Sequence, residues 1–338
     1  MVTKVGINGF GRIGRQVLKA ISDRYPGQFE VVAINDLVPT ETNANLLKYD
    51  SNYGRWNREI RVEAGGLAID GRLVKVFGER EPGAIPWGSV GAEIVIESTG
   101  FFTDATKAVA HRRDTVKKVL ISAPAKNEDV TIVLGVNPEA YDPAKHHVIS
   151  NASCTTNGLA PVVKTLVDSF GIQKAQMTTI HSYTNSQQIL DKAAGSDPRE
   201  MRAGALNIVP TSTGAARALR LVIPSIEGKI DGLAYRVPTP TVSIVEIVAL
   251  TDRNATKEEL NDALTKNANG TMKGILGVTM DPVVSMDMKG DERSSIVDGL
   301  STNVVGGNLI KVAAWYDNEW GYACRISDLC KFVLEKGL

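Results

Sequence analysis

Along the first half of the chain, compact apolar runs alternate with amphipathic stretches. "TKVGI" (3–7) is a short β-branched run, and after a glycine-rich turn Val17, Leu18 and Ile21 recur at helical spacing. "VVAIND" (31–36), "EIVIEST" (93–99), "KVLISAP" (118–124), "TIVLGV" (131–136) and "HHVIS" (146–150) read as further buried strands, separated by polar or helical segments such as "DATKAVAHRRD". Strands alternating with helices predict an α/β fold whose N-terminal part is a doubly wound parallel sheet.

The period then changes. "AQMTTIHSYTN" (175–185) is a strand leading into a long polar stretch, "SIVEIVALTD" (243–252) alternates residue by residue, and "TKEELNDALTKNA" (256–268) has a helical pattern. This predicts a second, α+β domain with a largely antiparallel sheet covered by helix on one face. In the closing segment Ile326, Leu329, Cys330 and Val333 share one helical face, so Cys330 reads as core, and Cys324 as structural too. Residues 182–209 show no period and are too long for an ordinary connection.

The first turn carries chemistry. Gly9, Gly11 and Gly14 stand in G-x-G-x-x-G spacing between the first strand and its helix, the Rossmann arrangement in which backbone N–H groups meet a pyrophosphate at a helix N-terminus. Asp36, 22 residues after Gly14, ends the second strand, where an acid can accept both ribose hydroxyls and repel a 2′-phosphate. The cofactor expected is NAD, with NADP use left open. Read alone, Asp36 can also be a strand-end turn residue, the less favoured of the two readings because motif, strand and acid occur together in order.

Composition narrows the classes. A chain of 338 residues exceeds one core, so two domains are expected. With 38 basic and 38 acidic residues there is no overall field to bind nucleic acid. Three cysteines offer neither a disulfide framework nor zinc spacing, so no metal is expected, and "MVTKVGINGF" lacks a secretory pattern. A soluble, cytoplasmic protein without membrane contact is the expectation.

Cys154 stands out in "SNASCTTNG" because small polar residues surround it, as suits a thiol kept accessible for reaction. The helix after it contains Pro161, so it either starts near Gly158 or is kinked there. Among four histidines, His111, His146 and His147 read as surface residues, whereas His181 sits where a strand edge faces a crevice. Local sequence leaves His181 open between a structural role and a catalytic base.

"NGFGRIG", "ASCTTN", "TTIHSYT", "NIVPTSTGAA", "YRVPTPTVS" and "WYDNEWGY" occur in the order seen in phosphorylating glyceraldehyde-3-phosphate dehydrogenases, and the chain resembles that family over essentially its whole length. The resemblance implies NAD-dependent oxidative phosphorylation of glyceraldehyde 3-phosphate, with Cys154 as the nucleophile forming a thiohemiacetal and thioester and His181 as the base. It implies phosphate-binding roles for Ser153, Thr155, Thr184, Arg199, Thr213, Gly214 and Arg236, whose donors suit phosphate oxygens. On the cofactor side it adds Arg12, Ile13, Arg80, Thr99, Ser122 and Asn318 to the glycines and Asp36. It further implies a homotetramer using the 182–209 loop, with residues 1–153 and 319–338 as the dinucleotide-binding domain and 154–318 as the catalytic and oligomerisation domain.

The chain also departs from the pattern. Gly158 replaces a frequent second cysteine, "DKAAGS" lacks the Leu-Pro pair that often follows Asp191, and Thr241 stands where asparagine is usual. Lys192 could attract a 2′-phosphate. Erythrose-4-phosphate dehydrogenase is the alternative reading; a semialdehyde dehydrogenase and a non-catalytic NAD sensor are more distant ones.

Overall fold

The computed structural model describes residues 2–338, which form two compact units: residues 2–132, 139–152 and 323–338 make one, and 133–138 and 153–322 the other. In the first, Thr3–Asn8 lies at the sheet centre with Phe29–Asn35 and Ile94–Glu97 parallel on its two sides. Arg72–Phe77 extends one flank in parallel; Lys118–Ile121, Val148–Ser150 and Val130–Thr131 extend the other. The chain order reverses between Thr3–Asn8 and Ile94–Glu97, so a ligand crevice opens beyond the carboxyl ends of these two strands.

Burial on both faces explains the continuous apolar runs: Val5, Ile7, Ile94, Val95, Ile96 and Val119 are all fully enclosed. Two expectations need correction. The run 131–136 is strand only at Val130–Thr131, because Asn137 Oδ1 accepts from Val133 N at 2.9 Å, Val136 N donates to Val133 O at 3.0 Å, and Gly135 takes φ +82°. A side-chain-stabilised turn outcompetes the strand although all of these residues but Gly135 stay buried. His111 is not a surface residue but is completely buried, and His146 and His147 are half-buried.

The second unit holds an eight-stranded sheet in the order Val209–Ser212, Ile230–Val237, Lys174–Ser182, Ser243–Leu250, Leu309–Tyr316, Ser295–Asp298, Leu276–Thr279, with Asn303–Val305 also beside Leu309–Tyr316. Two pairs are parallel, Lys174–Ser182 with Ile230–Val237 and Leu276–Thr279 with Ser295–Asp298, and the rest antiparallel. Ser243–Leu250 alternates buried and half-buried along its length, the signature read from its sequence. The Cys154–Phe170 helix packs on Leu309–Tyr316 and Ser295–Asp298. Lys257–Asn269 is fixed at its start by a capping box: Thr256 Oγ1 accepts from Glu259 N, and the Glu259 carboxylate accepts from Thr256 N. Among the described residues no helix is long and apolar enough to cross a membrane, and no group of three or more His, Cys, Asp or Glu residues could hold a metal.

Candidate active site and cofactor cradle

In the first unit, Gly9 has φ +87°, and a Cβ there would sit 2.6 Å from Thr99 N; at Gly14 a Cβ would sit 2.1 Å from Gly9 O. Gly11 faces open space. Two glycines therefore close the turn and the third leaves room for a ligand to approach the backbone. Asp36 is fixed just beyond the carboxyl end of the second central strand, since Oδ2 accepts from Phe10 N at 2.7 Å and Oδ1 from Val38 N at 2.9 Å. A carboxylate has further lone pairs for hydroxyl donors. The chain's residues thus fit a nicotinamide dinucleotide.

A cavity of about 670 Å³ brings together Gly9, Gly11, Asp36, Arg80 and Thr99. Arg12, Ile13, Gly14 and Ser122 are not in its wall: Arg12 instead pairs with Asp50 at 2.7 Å, and Ser122 N donates to Glu97 O. Sequence reasoning missed Asn8, Asn35, Glu79 and Phe101, which do line it. The first two were visible as the last residues of central strands, where such a crevice opens.

In the second unit the helix begins at Cys154 rather than near Gly158, so the first of the two readings of Pro161 is corrected: the proline lies inside the helix. Ser153 caps it, Oγ accepting from Thr156 N at 2.9 Å, which puts the thiol in the first turn, at the positive end of the helix. Cys154 Sγ lies 3.6 Å from His181 Nε2. His181 is 4 % exposed, and Arg236, its partner in the parallel ladder, places Nη1 2.6 Å from His181 Nδ1 and 3.2 Å from the Ser182 carbonyl.

These surroundings set the charges. Burial and then Arg236 push His181 down to about 3, with the Ser182 carbonyl, 2.7 Å from Nδ1, working the other way. Burial pushes the Cys154 thiol up, while Arg236 and donors from Thr155 pull it down. Arg236 keeps a buried Nε without a partner.

The remaining phosphate-binding candidates are spread out. The Ser153 hydroxyl is engaged in capping, and Thr155 Oγ1 meets Tyr316 OH at 2.9 Å. Thr184 bonds Ser186 and Gln187, Arg199 is exposed with its N–H on Asp197, and Thr213 Oγ1 accepts from Ala215 N beside exposed Gly214. Asn318 is buried, and its Oδ1 accepts from Ser182 Oγ at 2.9 Å and Ser243 Oγ at 3.1 Å, which orients the amide with nitrogen as the remaining donor. Thr241 gains a structural account: buried, it faces Asp317 Oδ1 at 3.3 Å, and Asp317 ties down Glu319 N and Trp320 N in the turn that carries Asn318.

A doubly wound unit with a glycine cradle and a second unit holding a thiol against an imidazole are the make-up of a dinucleotide-dependent oxidoreductase. Residues 3–105 match the family model of the glyceraldehyde 3-phosphate dehydrogenase NAD binding domain, and residues 153–318 that of the C-terminal domain. Proteins named glyceraldehyde-3-phosphate dehydrogenase from Priestia megaterium and Geobacillus stearothermophilus, and glyceraldehyde-3-phosphate dehydrogenase 1 from Bacillus subtilis, are each 52% identical to this chain, with 100% of both chains covered. The chain belongs to the glyceraldehyde 3-phosphate dehydrogenase family.

Proposed function

We propose that the chain oxidises D-glyceraldehyde 3-phosphate with NAD and inorganic phosphate to 1,3-bisphosphoglycerate, as a cytoplasmic enzyme of glycolysis or gluconeogenesis. The observation that carries this reading is the 3.6 Å approach of Cys154 Sγ to His181 Nε2 with Arg236 on the other ring nitrogen, in a chain of this family. Nothing favours the erythrose-4-phosphate alternative.

Cys154 attacks the aldehyde carbon and His181 Nε2 manages the proton, giving a thiohemiacetal on Sγ. When bound, NAD supplies the hydride acceptor that takes this carbon to the thioester level. His181 takes the hydroxyl proton as the carbonyl reforms. A phosphate oxygen then attacks the thioester carbon, the C–S bond breaks, and the thiolate recovers its proton from His181. Arg236 holds a phosphate beside this centre, with Ser153, Thr155, Thr184, Arg199, Thr213 and Gly214 as the other proposed phosphate ligands. Burial is the first cause that lowers His181 and Arg236 the second, so an anion at Arg236 would offset only the second.

The glycine cradle with Arg12, Ile13, Asp36, Arg80, Thr99, Ser122 and Asn318 is the proposed cofactor site. The units defined by 2–152 with 323–338 and by 153–322 are proposed as the cofactor and catalytic parts, with 133–138 joining the latter. A homotetramer is proposed because Ile189, Leu190, Leu206 and Ile208 in the 182–209 stretch are each largely exposed. The deciding experiment follows NADH formation from glyceraldehyde 3-phosphate with and without inorganic phosphate, in wild type and Cys154→Ser. Phosphate-dependent turnover lost in the variant supports the reading; turnover indifferent to phosphate overturns it.

A further inference from the structure

A buried polar chain runs beneath the cofactor cradle. Asn8, Asn35 and Glu97 are the last residues of the three central strands and stand side by side in the ladder, Asn8 opposite both Asn35 and Glu97. Glu97 is 2 % exposed, yet four donors converge on it: Thr99 N at 2.8 Å and Thr99 Oγ1 on one oxygen, Asn8 Nδ2 and His111 Nε2 on the other. Trp87 Nε1 can only donate, and it lies 3.1 Å from His111 Nδ1. The His111 proton therefore sits on Nε2, pointing at Glu97.

The other end of the chain reaches the cavity rim. Asn35 Nδ2 donates to Asn8 Oδ1 and to Glu79 O, both at 2.8 Å, and Glu79 N donates back to Asn35 Oδ1 at 2.8 Å. Thr99, Asn8, Asn35 and Glu79 all line the cavity, whereas His111 and Trp87 are fully enclosed beneath it. An apolar core would hold strands together without enclosing a carboxylate, whose burial is unfavourable unless every bond is met.

We propose that Glu97 and His111 are positioning residues for NAD: Glu97 fixes Thr99 and Asn8, and through Asn35 and Glu79 the segment bearing Arg80, while His111 orients Glu97. This rests on the cradle being the NAD site.

The test is calorimetric titration of NAD into wild type, Glu97→Gln, His111→Phe and His111→Gln. In Glu97→Gln an amide N–H faces existing donors, so the dissociation constant should rise at least ten-fold. His111→Phe should weaken binding in the same sense, about five-fold, and His111→Gln, which can still donate and accept, should stay within two-fold of wild type. Alkylation of Cys154 in the NAD-free proteins should proceed at one rate throughout. A folded Glu97→Gln that binds NAD within two-fold of wild type overturns the proposal, as does His111→Gln binding as weakly as His111→Phe. If Glu97→Gln does not fold, the His111 pair decides. Wild type that takes up no NAD defeats the cradle reading itself, a different result from equal binding across the set.

Discussion

Arg236 Nη1 stands 2.6 Å from His181 Nδ1 while Nε2 of the same ring faces Cys154 Sγ at 3.6 Å. One guanidinium thus touches the proposed base directly and is proposed to hold substrate phosphate. Arg236→Leu is expected to lower kcat/KM for glyceraldehyde 3-phosphate about 10- to 100-fold, the equivalent of about 1.5–3 kcal/mol for bonds to a charged group. Arg236→Lys should recover only part, since a point charge lacks the guanidinium fork. Steady-state kinetics at saturating NAD would show it; unchanged kcat/KM in Arg236→Leu removes Arg236 from the phosphate site.

His181 carries a second, kinetic expectation. His181→Asn keeps a polar, uncharged side chain but not its basicity, so kcat should fall by about 10²- to 10⁴-fold. KM for the aldehyde should change little, because the imidazole manages a proton and does not hold the phosphate. A variant that turns over normally would return His181 to a structural role.

The same ring makes stability depend on pH. Burial and Arg236 lower His181 from 6.5 to about 3, so the unfolded chain binds its proton more readily than the folded one. The contribution is complete above pH 6.5 and is lost as pH falls from 6.5 toward 3, by up to about 1.4 kcal/mol per unit. Between pH 7 and pH 5, wild type should lose about 2 kcal/mol more stability than His181→Asn, other titrations cancelling in the difference. Urea unfolding at the two pH values measures this, and equal losses would mean the ring is not held neutral.

Asp36 makes cofactor choice testable. Its carboxylate is clamped by Phe10 N and Val38 N at the cavity wall, so it cannot swing away from a 2′-phosphate. Asp36→Ser should lower the ratio of kcat/KM for NAD over NADP at least about ten-fold, or about 1.4 kcal/mol. An unchanged ratio would place discrimination elsewhere, with Lys192 the first residue to substitute.

Much of this was legible because the deciding interactions are local or periodic. The glycine turn is steric at fixed spacing, and the alternation in Ser243–Leu250 records one buried face directly. What escaped depends on distant partners. His111 looked like surface because its neighbours are charged, yet Trp87 offers it a donor and Glu97 an acceptor in the buried interior. Run 131–136 looked like a strand until one side-chain oxygen, on Asn137, closed a turn. The Cys154 helix begins four residues before Gly158, one of the two readings Pro161 left open, with the Ser153 cap acting on backbone N–H groups at its start. The pairing of His181 with Arg236 is a register fact of two strands far apart in sequence.

Two glycines of one turn should separate folding from binding. At Gly14 a methyl group would lie 2.1 Å from the Gly9 carbonyl oxygen, a backbone atom that cannot rotate aside. Gly14→Ala should therefore cost about 1–3 kcal/mol of stability by overpacking, or shift the turn enough to lose the cradle. At Gly11, φ is −72° and no atom lies within 4 Å of the position a Cβ would take, so Gly11→Ala should unfold within about 0.5 kcal/mol of wild type. The added methyl would nonetheless stand where the pyrophosphate approaches the backbone, and NAD affinity should fall. Chemical denaturation and NAD titration on the same two proteins read the two effects apart. Gly11→Ala binding NAD like wild type would show that the pyrophosphate does not lie against this turn.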